Sequence, residues 1–110
     1  MRFRTRKDHY LDIETGLKLE RHSWFKTTWD ESILAPFGWR LPTLEELLSI
    51  IDHKKHTPAT KLPGMFSSFY WSSTPSDYDI NYAWGIYFDY GNDSYANKSR
   101  GHYVRYIKED

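Results

Sequence analysis

A short run of oxygen-bearing side chains is the first place where this sequence could do chemistry. Residues 77–81 alternate acidic or amide side chains with bulkier ones, which is how the Ca²⁺-binding loop of a helix–loop–helix site begins. A complete loop would need glycine and glutamate where the chain has Tyr82 and Phe88, so that loop is excluded. Two interpretations stay open: an irregular Ca²⁺ site, and a solvated loop whose side chains shape turns, which we favour. The irregular site would use the carboxylates of Asp77, Asp79, Asp89 and Asp93.

Other reactive residue types are present but scattered. His53 and His56 follow a His-x-x-His spacing, yet two histidines alone are a weak zinc signal, and cations also suit the end of a helix. Arg40 could clamp a carboxylate or phosphate and Arg105 is equally ambiguous, but for both we favour a structural role, with Arg40 bonding backbone carbonyls. No nucleophile stands beside a base, and no glycine-rich phosphate loop is present. We therefore predict no catalytic residue, no metal and no cofactor.

The strongest candidate for a functional surface is segment 76–100, which is rich in Tyr, Asn, Asp and Ser. Rigid amphipathic rings beside adaptable hydrogen-bonding groups are typical of binding surfaces. We predict Tyr78, Tyr82 and Tyr95 as anchors for a ligand. Tyr90 lies in the same segment and is assigned to the core. The polar residues predicted to add specificity are Asn81, Asp93, Asn97 and Arg100.

The composition of the chain limits its partners. In 110 residues, 15 Lys and Arg balance 15 Asp and Glu, so there is no broad attraction to nucleic acid or anionic lipid. A local basic cluster is formed by Arg2, Arg4, Arg6 and Lys7. The absence of cysteine excludes disulfides and thiolate chemistry and suits the cytoplasm. The basic amino terminus leads into no apolar stretch, which predicts no signal peptide, no membrane span and a cytoplasmic, bacterial or phage-encoded protein.

The first half of the chain contains the turn and helix signals that must position these residues. Gly16 separates two short β-patterned segments and predicts a hairpin. Thr28 and Thr43 each precede a glutamate by three positions, a spacing that predicts two capped helices. The first helix should end near Leu34. The second, over residues 43–52, carries an apolar stripe of Leu44, Leu47, Leu48 and Ile51.

The second half of the chain is β-patterned. Residues 70–74, 82–90 and 103–107 each predict a strand. Alternation in the middle strand assigns one set of side chains to its core face: Trp84, Ile86, Phe88 and Tyr90. Gly91 opens a turn signal. Early helices and a late antiparallel sheet indicate one α+β domain over residues 1–110.

Six sequence blocks occur in a fixed order that one family shares: residues 12–17, 29–32, 38–43 with 46–47, 70–74, 83–84 with 88, and 104–105. Over residues 9–107 the chain resembles the bacterial DUF1566 family, which looks like a branch of the C-type lectin-like fold. A Legionella collagen-like adhesin carries a similar module at its carboxy terminus. Formylglycine-generating enzymes and the variable proteins of diversity-generating retroelements are more distantly similar.

The resemblance implies two helices packed on a twisted antiparallel sheet, with neighbouring termini and a ligand face in the late loops. The chain also departs from these relatives. It lacks the active-site cysteines of the formylglycine-generating enzymes and the Ca²⁺-binding strings of sugar-binding C-type lectins.

These observations predict a non-catalytic binding module that presents loops 76–100 to a protein or glycan partner, with no role for nucleic acid or membrane. The resemblance to the adhesin also allows a homo-oligomer. A first alternative is a small intracellular effector, encoded by a phage or prophage, that inhibits a host protein complex by masking a surface. A second alternative, ranked lowest, is a degenerate or novel enzyme that uses the scattered Asp and His residues.

Overall fold

The computed structural model describes residues 1–21 and 25–109, and their secondary structure confirms the α+β class. Within these residues two short helices accompany two five-stranded, mostly antiparallel sheets. The elements along the chain are β1 (Phe3–Thr5), β2 (His9–Asp12), β3 (Lys18–Glu20), β4 (Lys26–Thr27), α1 (Trp29–Ile33), β5 (Trp39–Arg40), α2 (Leu44–Ser49), β6 (Phe69–Pro75), β7 (Tyr82–Tyr87), β8 (Asn92–Asn97), β9 (His102–Tyr103) and β10 (Ile107–Lys108).

The first sheet gathers strands from both ends of the chain in the order β1-β2-β3-β10-β5, with every pair antiparallel. Lys108 Nζ donates to the Asp8 carboxylate at 2.7 Å, which joins the two ends a second time. The second sheet has the order β4-β9-β6-β7-β8, and only its β6–β9 pair is parallel among the described strands. This second sheet carries most of the predicted binding residues on β7 and β8.

The predicted hairpin at Gly16 is confirmed. β2 and β3 pair antiparallel on either side of it, and Gly16 has a φ of 79°, a conformation in which a side chain would be strained. At its base lies the fully buried Asp12 carboxylate, whose two oxygens accept from Arg2 Nε and Nη2 at 2.9 Å each. The Thr15 hydroxyl and the Glu14 amide also donate to it. Burial raises the pKa of Asp12, but these hydrogen bonds outweigh burial and leave the pKa below its ordinary value.

We expect Asp12→Asn to lower the free energy of unfolding at pH 7 by about 2 kcal/mol, because Arg2 then loses its buried anionic partner. The folded-state pKa of Asp12 lies below the unfolded value of about 3.9. The stabilisation is therefore fully present above about pH 4 and is lost as the pH falls through the folded-state pKa. Urea denaturation at pH 7 and near pH 2 should show the gap between wild type and variant shrinking in acid. A gap of constant size would contradict this role for Asp12.

Both predicted helix caps are present. The Thr43 hydroxyl accepts from the Glu46 amide at 3.2 Å, and the Glu46 carboxylate accepts from the Thr43 amide at 2.9 Å, which completes the capping box of α2. The Thr28 hydroxyl caps α1 by accepting from the Glu31 amide at 3.5 Å. It also donates to the Glu31 carboxylate, so the reciprocal half of a capping box is replaced by a bond between side chains.

Helix α2 is shorter than predicted, ending at Ser49 instead of near residue 52. Ile50 leaves the helical path with φ −96° and ψ 1°, and its carbonyl accepts from the Thr60 hydroxyl at 2.6 Å. The early end changes which side chains reach the core. Ile50 is fully buried, whereas Leu48 is 38% exposed, so its assignment to the buried stripe is wrong.

The structure also corrects the end of the chain. The strand predicted over residues 103–107 is two strands, because β9 belongs to the second sheet and β10 to the first. Residues 104–106 cross between the sheets and are all buried. Segment 92–97, predicted as part of a loop, is strand β8, and the turn before it at Gly91 is confirmed by a φ of 85°.

Two apolar clusters form the hydrophobic core of the described residues. The larger one lies between α2 and the sheets and includes Leu47, Tyr70, Ile86 and Phe88. The smaller one lies on the other face of β6 and β7 and is built from Leu41, Phe69, Trp71, Ala83, Val104 and Tyr106. Both faces of β7 are therefore covered where Gly85 and Ile86 are buried, whereas Tyr82 and Trp84 at its start are only partly buried.

Candidate functional site

The register of β7 and β8 brings several predicted binding residues onto one face of the second sheet. Trp84 lies opposite Tyr95, and Tyr82 lies opposite Asn97. Because side chains two apart on a strand share a face, Tyr82 and Trp84 of β7 project on the same side as Tyr95 and Asn97 of β8. Helix α2 packs on β7, where Ile86 is fully buried, but the end near Tyr82 is left uncovered.

The aromatic rings on this open face form a compact cluster. The centroid of the Tyr95 ring lies 5.6 Å from that of the Tyr82 ring, and the two ring planes make an angle of 77°. The centroid of the Trp84 ring lies 5.4 Å from that of Tyr95, with an angle of 75° between the planes. These edge-to-face contacts are favourable and hold the rings as walls that meet near a right angle. Tyr95 keeps 58% of its surface exposed, so the cluster has a free outer side that a ligand can reach.

The loop between β6 and β7 closes this face into a pocket. Its shape is fixed by local hydrogen bonds: the Ser76 amide donates to the Tyr82 carbonyl at 3.0 Å, and the Tyr82 amide donates to the Asp79 carbonyl at 3.0 Å. The backbone amide of Asn81 donates to Oδ1 of Asp79 at 2.9 Å, and this hydrogen bond orients the Asp79 carboxylate. The pocket measures about 550 Å³, within the range of ligand sites, and we call it the tyrosine pocket. It is lined by Ser76, Tyr78, Asp79, Tyr82, Trp84 and Tyr95.

Two of the predicted polar residues lie in a neighbouring depression. Asn81 and Asn97 line a cavity of about 350 Å³ together with Lys98 and residues at the start of α1. The Asn97 side-chain oxygen already accepts from the amide and hydroxyl of Ser99, at 2.9 and 2.8 Å. Its role in shaping this turn leaves less of the side chain for a ligand than the sequence prediction assumed.

The remaining predicted residues are not part of the tyrosine pocket. Asp93 is exposed on the same face of β8 as Tyr95, two residues away, and Arg100 is exposed in the turn after β8. Tyr90 is 65% exposed and stacks on His56 at 5.4 Å, so its assignment to the core is wrong. β7 ends at Tyr87, and the turn that follows breaks the alternation on which that assignment depended.

Three residues that line the tyrosine pocket were not predicted as ligand contacts. Trp84 was assigned to the core face, but it is half-buried and lines the pocket. Asp79 was considered only as a Ca²⁺ ligand, and Ser76 was not considered. The position of Trp84 opposite Tyr95, readable once two strands are assigned to 82–87 and 92–97, is the signal that would have found it.

Arg40 and the histidine pair, the other candidate sites of the sequence, lie outside the tyrosine pocket. Arg40 donates to both carboxylate oxygens of Glu46 at 2.6 and 2.7 Å, so it braces the start of α2 through an ion pair instead of the predicted carbonyl bonds. This bond lowers the pKa of Glu46 and raises that of Arg40. His53 and His56 are exposed, and across residues 1–21 and 25–109 no three His, Cys, Asp or Glu side chains lie together as metal ligands do.

The fold and the pocket together define a small α+β domain with an open aromatic face. The chain belongs to the Lcl C-terminal domain family, which matches residues 11–108 and is named after the C-terminal domain of the Legionella collagen-like protein. This is a family of adhesin-type binding domains and is not a known enzyme family. No curated protein and no solved structure matches the chain. In the described residues neither helix has the length and apolar character that a membrane span requires.

Proposed function

We propose that this domain is a non-catalytic binding module that presents the tyrosine pocket and its rim to a protein or glycan partner. The observation that carries the proposal is the clustering around one pocket of Tyr78, Tyr82 and Tyr95, the three tyrosines predicted from the sequence as anchors. Membership of an adhesin-type family supports the same conclusion. Tyrosine provides large contact area at low conformational cost, which is why it recurs in binding surfaces.

We also propose that the architecture is C-type lectin-like. Two features support this: the first sheet contains strands from both ends of the chain, and the candidate binding face is formed by the late strands and their loops. In that arrangement the joined ends would form the base, and the tyrosine pocket would lie among the late strands and loops.

The double variant Tyr78→Ala/Tyr95→Ala should abolish partner capture. The side chain of Tyr78 is 94% exposed and that of Tyr95 is 58% exposed, so their removal should cost less than about 1 kcal/mol of folding stability. If the two rings are binding anchors, their loss should weaken binding by at least about 30-fold, which is about 2 kcal/mol. The measurement is capture from bacterial lysate and from a glycan array, with a thermal melt of each protein.

Tyr90→Ala is the matched control, because Tyr90 is also an exposed tyrosine, at 65%, but lies outside the pocket. It should capture the same partners as the wild-type protein. Equal capture by the double variant and the control would show that the tyrosine pocket is not the binding site. Melting temperatures within a few degrees of the wild type are needed to assign a loss of capture to the surface and not to the fold.

A further inference from the structure

The tyrosine pocket has an unusual balance of side-chain chemistry. Four aromatic rings and one carboxylate line it, and none of the described residues that line it is Lys or Arg. The only other lining group is the small hydroxyl side chain of Ser76. The pocket is therefore electron-rich: the ring faces carry the negative part of their quadrupoles, and Asp79 adds a formal negative charge.

The negative character extends beyond the lining. Asp93 is exposed on the same face of β8 as Tyr95, two residues along the strand, and Asp77 is exposed in the loop that carries Tyr78. The nearest cation by sequence, Lys98, lies over the Trp29 ring at 4.4 Å and lines the neighbouring depression. An anionic ligand would thus meet the Asp79 carboxylate in the tyrosine pocket, with no Lys or Arg among the described lining residues.

The ring geometry matches a cation better than a flat ligand. Tyr95 meets Tyr82 and Trp84 at 77° and 75°, so the rings form a corner and not a single flat platform. A rounded group that presents polarised methyl or methylene hydrogens on several sides can contact all three walls at once. Tyr78, exposed at the rim, provides a fourth ring, and Asp79 is held by the Asn81 amide through only one of its two oxygens.

We propose that the tyrosine pocket binds an alkylated ammonium group. This inference depends on the proposed function, because it names the ligand chemistry of the same pocket. Recognition would combine contact of the cation with the ring faces and a charge interaction with Asp79, which is how aromatic cages select quaternary ammonium groups. The group belongs to a choline-type small molecule, free or phosphorylated, and a methylated lysine side chain of a partner protein is the other outcome of the test.

The decisive measurement compares choline with its uncharged carbon isostere, 3,3-dimethylbutan-1-ol. Titration of each into the full chain is followed by NMR, using the indole N–H signal of Trp84 and the ring signals of the pocket tyrosines. We expect choline to bind at least about tenfold more tightly than the neutral isostere, because only the cation gains from the rings and the carboxylate. Equal binding of the two compounds, or no binding of choline, would overturn the proposal.

Two variants separate the contributions of the charge and the rings. Asp79→Asn keeps an oxygen for the Asn81 amide but removes the charge, and should weaken choline binding about threefold, with a smaller salt dependence. Tyr95→Ala should weaken it by at least about tenfold. Glu109→Gln, which neutralises an exposed carboxylate outside the pocket, and Tyr90→Ala are the matched controls and should leave the affinity unchanged. Losses of similar size in the controls would contradict a cage formed by these particular residues.

Further arms identify the source of the cation and separate this proposal from the proposed function. Phosphocholine and a trimethyllysine peptide are each titrated, and tighter binding of one than of free choline identifies the source. Neutral methyl glycosides are titrated in parallel. Saturable binding of a glycoside at the Trp84 signal, with none of choline, would reject the cation and keep the binding pocket. A second result would also reject the cation and keep the pocket: the wild-type protein does not bind choline, yet the Tyr78→Ala/Tyr95→Ala variant loses capture from the lysate or the array.

Discussion

Replacing Arg105 with alanine is expected to lower the free energy of unfolding by about 3–5 kcal/mol, because it removes the central hydrogen-bonding group of the crossing between the two sheets. The side chain is fully buried. Its Nε donates to the Glu20 carbonyl, and its Nη2 donates to the carbonyls of Arg21 and Pro63, each at 2.8 Å. Alanine would leave these carbonyls without their charged donor and open a cavity the size of a guanidinium group.

The electrostatics of this site make the expected loss large. Burial is the main effect on the Arg105 side chain and lowers its pKa, and the nearby Tyr70 and Glu20 oppose that shift. Burial in turn raises the pKa of Glu20, whose carboxylate accepts from the Tyr106 amide at 2.9 Å. The guanidinium and its ring of carbonyls thus depend on each other, and removing one partner leaves the others desolvated without compensation.

Urea denaturation of Arg105→Ala, Arg105→Lys and Arg40→Ala tests this expectation. Lysine keeps the charge but cannot reproduce a planar fork of donors, so Arg105→Lys should lose about 2 kcal/mol. Arg40 is the matched control, since its side chain is 39% exposed and its ion pair with Glu46 is partly solvated. Arg40→Ala should therefore cost about 1 kcal/mol or less. An Arg105→Ala protein as stable as Arg40→Ala would show that the buried arginine does not hold the sheets together.

The features that could be predicted from the sequence are those determined by a few neighbouring residues. Gly16 and Gly91 mark turns because the backbone there has a positive φ. The side chains of Thr43 and Glu46 accept hydrogen bonds from amides at the start of α2. The structural role assigned to Arg105 is confirmed as well. For the turns and the cap, the interacting groups are only a few residues apart in the sequence. For Arg105, a buried polar side chain must be hydrogen-bonded, whichever segments its partners belong to.

The features that could not be predicted depend on which faces other elements cover. Trp84 and Ile86 share one face of β7, yet α2 covers the position of Ile86 and leaves that of Trp84 open, and no periodicity in β7 itself encodes that difference. The division of the last strand between two sheets is also a tertiary outcome. Tyr78, Tyr82 and Tyr95 were predicted from the composition of segment 76–100. Their position around one pocket depends on the pairing of β7 with β8 and on the loop that precedes β7.

The structure explains why the pocket can be open without weakening the fold beneath it. Gly85, between Trp84 and Ile86 on β7, is fully enclosed, and a Cβ atom added there would lie 2.3 Å from the Tyr70 carbonyl oxygen and 2.4 Å from Cζ of Phe69. The absence of a side chain lets the paired strand β6 and the buried Phe69 ring approach β7 closely. The close approach of β6 to β7 therefore depends on a glycine that does not line the tyrosine pocket.

We expect Gly85→Ala to destabilise the domain by about 3 kcal/mol or more, because backbone and a buried ring must both move to admit one methyl group. Gly101→Ala is the matched control: its added Cβ would meet nothing closer than Lys26 Cβ at 3.6 Å, so its stability should change by less than about 1 kcal/mol. Chemical denaturation gives both values.

If Gly85→Ala folds, the displaced β7 should also shift the Trp84 indole signal, although residue 85 lines no part of the pocket. A Gly85→Ala protein with wild-type stability would show that β6 and β7 are not packed at the separation on which the geometry of the tyrosine pocket depends.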